Sequence, residues 1–276
     1  MQDAKLAGKS RQIIAILTDF GQKSWYVPAI KGVILTICPD ARIVDMSHQV
    51  PPQDVLAGAH ILGFSSIYYP RDTVFLCIVD PRVGTDRNLI IMESEESHYF
   101  VAPDNGLLTL VAKREGIEKI VKITNRKYML KEISRTFHGR DILAPAAAHL
   151  ARGEPIERFG PKMKKIVRLD IEEPHAENGT IRGRIIFVDD FGNIITNIGE
   201  DILMKTVIEF GAEISVTFPS SNEVMLFSQT YGDVEVGKPL GIIGSSGFFE
   251  ISVNCGDAAK RYHVYPGTDV MIAARI

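Results

Sequence analysis

Short apolar runs alternate with segments of helical spacing over the first half of this chain, and this alternation is what most constrains its fold. Residues 12–18 (QIIAILT) predict a buried strand, residues 27–38 (VPAIKGVILTIC) a helix, and residues 41–48 (ARIVDMSH) a second strand. Residues 54–69 then predict a second helix and residues 73–80 (TVFLCIVD) a third strand. Strands that alternate with helices favour a mostly parallel sheet covered by helices on both faces.

The pattern changes after about residue 170. Residues 88–106 still predict two strands joined by an acidic turn, and residues 141–152 (DILAPAAAHLAR) predict a helix. Beyond a polar, turn-rich stretch at residues 172–180, short β runs follow one another between glycines and prolines. We therefore expect an α/β domain over residues 1–170 and a smaller all-β domain, either a barrel or a sandwich, over residues 171–276.

Composition and charge argue against several classes of protein. The 31 basic and 34 acidic residues give a formal net charge of −3 without long blocks of one sign, so nucleic acid is not expected as a partner. Residues 1–12 are polar, and no stretch reaches the roughly 18 apolar residues that span a bilayer, so we expect a soluble protein without membrane contact. Cys38, Cys77 and Cys255 are far apart in apolar or small-residue surroundings, which predicts reduced thiols in the core and a cytoplasmic location.

Polar side chains come just past several of the apolar strands. They are Asp19 in LTDFG, Asp45 and His48 in DMSH, Asp80 in VDPRVG, Asp104 and Asn105 in APDNG, and Asp189 and Asn193 in VDDFGN. Open α/β sheets bind ligands at the carboxyl ends of their strands, so this repetition indicates one polar cleft. The alternative is that these residues only begin turns and cap helices. His138 in FHGRD is open to both interpretations, whereas His48, His60 and His149 are predicted to be structural.

Several common catalytic motifs are absent from the sequence. It has no HExxH or CxxC metal-ligand spacing, no GxxxxGK[ST] phosphate loop, no GxGxxG that opens a helix and no GxSxG nucleophile elbow. The serines of residues 244–248 (GSSGF) lie in a β context, which indicates a turn that offers backbone donors and not a nucleophile. The residues alone thus predict a two-domain enzyme that binds a small polar ligand.

Eight stretches of the sequence together resemble one enzyme family. In chain order they are LTDFG (17–21), YVPAIKGVIL (26–35), DMSHQVPPQD (45–54), VDPRVGT (79–85), VAPDNGLLTLV (101–111), FHGRDILAPAAAHL (137–150), DDFGNIITNI (189–198) and IGSSGFFEISVN (243–254). They are similar to those of the S-adenosyl-L-methionine (SAM) hydroxide adenosyltransferases, or SAM hydrolases, relatives of fluorinase and chlorinase. The resemblance implies a Rossmann-like amino-terminal domain with a mostly parallel sheet and a smaller carboxyl-terminal β-barrel domain.

The resemblance also implies an activity and an assembly. SAM would be the substrate, no cofactor or metal would be needed, and a homotrimer would carry its sites at subunit interfaces. Asp80, Arg87 and His138 match the three residues that surround the attacking water in the family. Asp80 would orient this water or accept its proton, while Arg87 and His138 would favour hydroxide. Attack on the ribose 5′ carbon would give adenosine and L-methionine.

Substrate-binding roles follow from the same resemblance. Asp19 would accept hydrogen bonds from the ribose hydroxyls, because an ionised carboxylate has two acceptor oxygens. The adenine would be held by Asn193, by the backbone at Val253 and by stacking on Tyr231. The amino acid end would be held by Asp189, Ser245 and Glu250.

Three positions depart from the family pattern. Arg82 replaces a common glycine and puts a cation beside Asp80, which could alter the shape or the charge of this loop. Gln53 replaces a usual aromatic residue, which removes a packing surface beside the ribose. Ser24 stands where an acidic residue is frequent, so contacts to the methionine end are expected to differ.

Two other functions stay open from the sequence. A halide-using member of the same superfamily would need a small dehydrated pocket of neutral donors, and an ionised Asp80 would repel a halide at short range. A sensor of SAM or adenosine would keep the binding groups but would have no use for Asp80, Arg87 and His138. The presence of all three residues favours hydrolysis.

Overall fold

A computed structural model of the chain describes residues 13–206 and 208–275. The chain divides into two compact units, the first ending at Asp170 and the second beginning at Ile171. Residues 1–12, on which the expectation about targeting segments partly depends, lie outside the described residues. In the described part of the chain, no helix combines the length and the apolar character needed to cross a bilayer.

The first unit contains, within its described residues, a six-stranded sheet and four α-helices. The strands are β1 (Ile13–Thr18), β2 (Arg42–Ser47), β3 (Val74–Ile78), β4 (Leu89–Glu93), β5 (Tyr99–Pro103) and β6 (Lys119–Lys122). The helices are α1 (Tyr26–Ile37), α2 (Val55–Ser65), α3 (Thr109–Glu115) and α4 (Ala144–Ala151). The spatial order is β2-β1-β3-β5-β4-β6, in which β4 is antiparallel to both neighbours and the other pairs are parallel.

Alternate side chains of the central strands pack into two separate apolar layers. Ile14 and Ile16 of β1 belong to one buried cluster, together with residues of α1 and α4. Ala15 and Leu17 belong to the other cluster, together with residues of α2 and α3. Successive side chains of a strand point to opposite faces, so an unbroken apolar run requires cover on both sides. The predicted sheet with helices on both faces is therefore confirmed.

The strand order reverses between β1 and β3. The chain passes from β1 through α1 to β2 on one side of β1, and from β2 through α2 to β3 on the other side. Ligands of open α/β sheets bind at such a point, just outside the carboxyl ends of the strands. Asp19 directly follows β1, and Asp80 follows β3 after one intervening residue, so both lie at this edge.

The second unit is a closed β-barrel. Its described strands are β7 (His175–Glu177), β8 (Thr180–Val188), β9 (Ile194–Gly199), β10 (Glu213–Phe218), β11 (Ser221–Phe227), β12 (Pro239–Ile243), β13 (Phe248–Val253) and β14 (Asp269–Ala274). Seven strands close the barrel because β14 pairs with β8 as well as with β10, and the short β7 pairs with β8. Two short helices, α5 (Glu200–Leu203) and α6 (Ala258–Tyr262), lie between strands. Of the two predicted all-β architectures, the barrel is correct.

Six of these helices and strands are not predicted by the sequence pattern: α3, β6, β7, β9, α5 and α6. The helix α3 has seven residues and β6 has four, so each is too short to establish a clear period. The strand β9 follows β8 after a connection of five residues, 189–193. In the sequence, this motif is interpreted through its polar side chains, and no strand is predicted after it. The predicted helix at residues 141–152 forms, but a π-helical turn at Gly139–Leu143 precedes α4.

The cysteines follow the prediction in two cases out of three. All three are free thiols, and Cys38 and Cys77 are buried. Cys255 is exposed, so the prediction that it lies in the core is wrong. It comes two residues after β13, in a turn where its φ is 55°, and chain reversal at the barrel end keeps this side chain out of the apolar interior.

Candidate active site

A cleft of about 630 Å³ opens in the first unit at the carboxyl ends of β1 and β3. Four segments line it: the loop after β1, the turn before α2, the loop after β3 and the segment that leads into the π-helical turn. Asp19, Asp80 and His138 all contribute to this lining. The cleft therefore lies at the edge where the reversal of strand order predicts a ligand.

Asp80, Arg87 and His138 form one connected hydrogen-bonded group beside the cleft. Nε of Arg87 lies 2.7 Å from Oδ1 and 2.8 Å from Oδ2 of Asp80, and Nη2 of Arg87 also donates to Oδ2. The same Nη2 lies 3.3 Å from Nδ1 of His138. The side chains of Arg87 and Asp80 are 4% and 7% exposed, so bulk water screens this ion pair only weakly.

The loop that carries Asp80 and Arg87 (residues 79–87, the Asp80 loop) is fixed by backbone contacts at two points. Gly84 has a φ of +81°, and a Cβ at this position would lie 2.7 Å from the carbonyl oxygen of Arg135, so glycine is required. Nδ2 of Asn105 donates to the carbonyl of Val79 over 2.8 Å, directly before Asp80. These contacts set the direction in which the carboxylate leaves the strand.

His138 is held by a second anchored turn. Asp141 is completely buried, and its Oδ2 accepts the backbone N–H of Ser134 over 2.8 Å. Nε of Arg140 donates to Oδ1 of Asp141 over 2.6 Å. His138 directly precedes the π-helical turn that contains these partners, so the position of its backbone follows from them.

The imidazole of His138 is neutral at neutral pH. Burial and, next, the positive charge of Arg87 hold the pKa of His138 below its ordinary value of about 6.5. A guanidinium has only donors, so Nδ1 must accept the hydrogen bond from Arg87 and the ring hydrogen must be on Nε2. His138 thus carries a ring N–H without adding a positive charge, and the backbone of Ser134 is one of its hydrogen-bond partners.

Asp19 is tied to the turn before α2. Its Oδ2 accepts the backbone N–H of Gln53 over 2.8 Å, and Gln53 adopts a left-handed φ of 66°. Among the described residues, no donor contacts Oδ1 of Asp19, which is therefore available to a ligand. Gln53, one of the departures from the family pattern, contributes to the site through its backbone.

The other two departures have modest structural effects. Arg82 is exposed on the Asp80 loop, and its carbonyl oxygen accepts both the N–H and the hydroxyl hydrogen of Thr85, at 3.2 and 2.8 Å. The hydroxyl of Ser24 lies 3.4 Å from the carbonyl oxygen of Phe20 in the loop after β1. Both side chains leave the contacts among Asp80, Arg87 and His138 intact.

Four aromatic rings, which we name the aromatic wall, also line the cleft: Phe20, Trp25, Tyr26 and Phe137. The centroids of neighbouring rings are 4.6–5.9 Å apart. The sequence motifs assign these rings no role, although Phe20 and the adjacent pair Trp25 and Tyr26 lie within one loop and the start of α1. Phe137 joins them only through the tertiary fold.

Four of the polar residues that follow strands do not belong to the described lining of the cleft. Asp45 forms an ion pair with Lys31 over 2.6 Å, and Oδ1 of Asp104 accepts a backbone N–H over 2.7 Å. Nδ1 of His48 lies 2.9 Å from a threonine hydroxyl, and Asn105 supports the Asp80 loop. For these residues the alternative interpretation, a role in turns and local structure, is the correct one.

The second unit holds two hydrogen-bonded pairs among the predicted binding residues. Asp189 accepts the backbone N–H of Asn193 at Oδ1 and its Nδ2–H at Oδ2, both over 2.9 Å. Oε1 of Glu250 accepts the hydroxyl hydrogen of Tyr231 over 2.7 Å. Burial, then Glu250, then Asp189 raise the pKa of Tyr231, so its hydroxyl stays protonated and the two pairs are within electrostatic range of each other.

The last two predicted binding residues lie near the ends of barrel strands. Ser245 is exposed in the turn between β12 and β13. Val253 ends β13, and its carbonyl oxygen accepts the N–H of Gly256 over 2.9 Å. No hydrogen bond among the described residues joins Ser245 to the two pairs, so the structure leaves its side chain facing solvent.

The described residues do not suggest a metal centre. Within the ranges 13–206 and 208–275, no group of three or more His, Cys, Asp or Glu side chains is arranged to hold a metal ion. Asp80 already binds a guanidinium, and Nδ1 of His138 faces the same cation.

The first unit holds a cleft at the strand switch point, the place between β1 and β3 where the strand order reverses, and the chain continues into a closed β-barrel. These two features define a class of proteins with one α/β unit and one β-barrel unit. Within this class, the chain belongs to the SAM hydroxide adenosyltransferase family. The family model of the N-terminal domain matches residues 14–160, and that of the C-terminal domain matches residues 183–271.

Individual proteins are similar to the chain over nearly its whole length. An (R)-S-adenosyl-L-methionine hydrolase of Salinispora tropica is 34% identical over 270 residues, which cover 95% of this chain and 97% of that protein. A fluorinase of Nocardia brasiliensis is 28% identical over 290 residues, with coverages of 95% and 97%. A crystal structure of a conserved protein from Thermotoga maritima has a TM-score of 0.92 and 42% identity, covering 94% of this chain and 99% of that one.

Proposed function

We propose that this protein hydrolyses SAM, producing adenosine and L-methionine. The observation that carries the proposal is the convergence of Asp80, Arg87 and His138 at a cleft on the strand switch point. Membership in the hydroxide adenosyltransferase family and 34% identity to a protein named as a SAM hydrolase support the choice of substrate.

In the hydrolysis of SAM, the step that needs catalysis is the activation of the nucleophile. The positive sulfur makes the ribose 5′ carbon electrophilic, and methionine leaves with the C–S electron pair as a neutral thioether. No acid is therefore needed for the leaving group. Water is a weak nucleophile, so the protein must align its lone pair with the 5′ carbon and favour the loss of its proton as the C–O bond forms.

The three side chains divide this task. Asp80 accepts a hydrogen of the water through carboxylate lone pairs that Arg87 does not use, which directs an oxygen lone pair at the 5′ carbon. Arg87 offsets the charge of Asp80 and stabilises hydroxide character on the oxygen. His138 donates from Nε2 and, because it is neutral, does not repel the cationic substrate. The proton released by the water passes to Asp80 or to solvent.

The remaining residues would hold the ends of the substrate. Asp19 accepts from the ribose hydroxyls through Oδ1, while Asn193, Tyr231 and the backbone at Val253 contact the adenine. Both oxygens of Asp189 already hold Asn193, which favours a positioning role for this carboxylate in addition to its proposed contact with the amino acid end. Ser245 and Glu250 complete that contact.

The proposed assembly is a homotrimer in which residues of the second unit reach the cleft of a neighbouring subunit. The proposal includes domains at residues 1–170 and 171–276 and a Rossmann-like classification of the first. Support for that classification comes from the parallel pairing around β1 and from the ligand cleft at the strand switch point.

A product assay tests the proposed function. The purified protein is incubated with SAM, with and without chloride or fluoride, and nucleosides and methionine are separated by chromatography. We expect adenosine and methionine in equal amounts, no effect of chelator, and a rate at least about 100-fold lower for Asp80→Ala. Asp86→Ala, an exposed acid on the same loop, is the matched control and should retain activity.

The other outcomes of this assay assign other functions. A halogenated nucleoside that forms only with halide would make the protein a halogenase. SAM that binds and stays intact would make it a sensor. Either result would contradict hydrolysis.

A further inference from the structure

The aromatic wall lines the cleft, but the roles proposed for Asp80, Arg87 and His138 do not involve it. We propose that this wall, through Trp25 above all, recognises the positive charge of the sulfonium group and so selects SAM against neutral analogues. This inference rests on the proposed function, because it takes SAM as the substrate.

The rings of the aromatic wall support one another and leave a surface open to the cleft. The Trp25 centroid is 4.6 Å from that of Tyr26, and its ring meets Phe137 edge to face at 5.6 Å. Tyr26 also meets Phe137 edge to face, at 5.0 Å. Trp25 and Tyr26 nevertheless remain 59% and 38% exposed while lining the cleft. The wall is thus a fixed aromatic surface that a ligand can cover.

The carboxylates of the cleft have other partners, which leaves the sulfonium without a dedicated anion. Asp19 and Asp80 are the two carboxylates among the described lining residues. Arg87 neutralises Asp80, and Asp19 is assigned to the ribose hydroxyls. Ser24, in the same loop, supplies a hydroxyl where a third carboxylate would have been possible. Within the described lining that the first unit supplies, the negative faces of the aromatic rings are then the remaining surface that attracts a cation.

Trp25 is the ring best suited to this contact. The guanidinium of Arg140 already lies 5.1 Å from the centroid of Phe137, so one face of that ring holds a cation. Arg140 is in turn paired with Asp141 and is not free to move away. Tryptophan attracts cations more strongly than tyrosine or phenylalanine, and Trp25 is the more exposed member of its pair with Tyr26.

The expected kinetic effect follows from the fate of the charge. The sulfur carries its full positive charge in bound SAM, loses part of it in the transition state and is neutral in methionine. An aromatic surface therefore binds the substrate more tightly than the transition state or the product. Loss of Trp25 should therefore raise KM for SAM and leave kcat unchanged or slightly higher.

Calorimetry with two analogues separates charge recognition from simple packing. Sinefungin carries an ammonium group near the sulfur position and cannot release methionine, whereas S-adenosylhomocysteine is a neutral thioether. We expect Trp25→Leu to weaken sinefungin binding about tenfold and S-adenosylhomocysteine binding less than about threefold. Trp25→Phe, which retains a ring, should fall between the wild type and Trp25→Leu. Tyr68→Leu removes an exposed ring that is not part of the cleft lining and should bind both analogues as the wild type does.

Equal losses for the charged and the neutral analogue would show that Trp25 only packs against the ligand, and unchanged affinities would show that it does not contact it. Either result would overturn the inference. The product assay with the wild-type protein tests the proposed function independently of this binding experiment. Hydrolysis of SAM together with equal losses in Trp25→Leu would reject the charge recognition alone, whereas intact SAM would reject the proposed function and the inference with it.

Discussion

Nε of Arg87 lies at nearly equal distances, 2.7 and 2.8 Å, from the two carboxylate oxygens of Asp80. Both side chains are almost fully buried, so loss of one partner leaves the other charge without compensation. We expect Asp80→Asn and Arg87→Met each to lower the free energy of unfolding by about 3 kcal/mol. The double variant should lose about 1–3 kcal/mol less than the sum of the two. Urea unfolding of the four proteins measures this coupling, and additive effects would contradict it.

The protonation of His138 should limit activity on the acidic side. Burial and the charge of Arg87 keep its pKa below 6.5, so the neutral ring persists from alkaline pH down to that value. We expect the rate of SAM hydrolysis to fall only below about pH 6.5, as the ring becomes charged beside a cationic substrate. NMR titration of the ring protons should show the lowered pKa in the wild type. The pKa should rise in Arg87→Met, and an unchanged value would exclude the guanidinium as a cause.

A buried pair that does not belong to the described lining of the cleft should make stability depend on pH. Nδ1 of His98 lies 2.9 Å from Oε2 of Glu115, and the side chains are 5% and 2% exposed. Burial alone would lower the pKa of His98, but the hydrogen bond and the charge of Glu115 raise it. Since the folded protein holds this proton more tightly than the unfolded chain, the contribution of His98 is complete below pH 6.5 and is lost at higher pH.

The double variant His98→Gln/Glu115→Gln tests this dependence, because it retains polar groups without the charges. The free energy of unfolding of the wild type, measured with urea, should decline as the pH rises above 6.5, and the double variant should show a smaller decline. His175→Gln, at a histidine that is 71% exposed, serves as the control and should behave as the wild type. An equal decline in the double variant would exclude the buried pair as its source.

Gly192 supports the turn that presents Asn193. It has a φ of +85°, and a Cβ at this position would overlap the carboxyl group of Asp257, whose Oδ1 accepts the N–H of Lys260 and so caps α6. We expect Gly192→Ala to cost about 3 kcal/mol or more in the free energy of unfolding, from left-handed strain and steric overlap together. Gly267→Ala has a similar φ of +93° in open space and should cost only about 1–2 kcal/mol. Thermal unfolding of the two variants compares them, and equal losses would mean that the overlap is relieved without cost.

The sequence predicts the first unit well where the signal is local. The unbroken apolar runs around Ile14 and Phe75 require a sheet covered on both faces, and the structure contains one. Positions that follow strands direct attention to Asp19 and Asp80, but the same rule also selects Asp45, which binds Lys31 instead. A carboxylate after a strand serves local structure as readily as it serves a ligand, and only the tertiary contacts decide between them.

Other features depend on contacts between distant parts of the chain. Arg87 and His138 are 51 positions apart, and spacing alone does not predict their contact; family resemblance suggests the grouping. Phe137 joins Trp25 and Tyr26 through folding alone. The choice between a barrel and a sandwich likewise depends on the pairing of Val270 with Gly183, two residues that lie near opposite ends of the second unit in the sequence.

That pairing also has a consequence for how the second unit can vary. Joining β14 to β8 closes the seven-stranded sheet, so that among the described strands only the short β7 keeps a free edge, and free edges are where strands of separate molecules add to each other. The turns at the rim, such as the one that holds Ser245, can then change in length or composition without opening a template for aggregation. A closed barrel of this kind therefore allows related proteins to vary the turns at its rim while its strands stay the same.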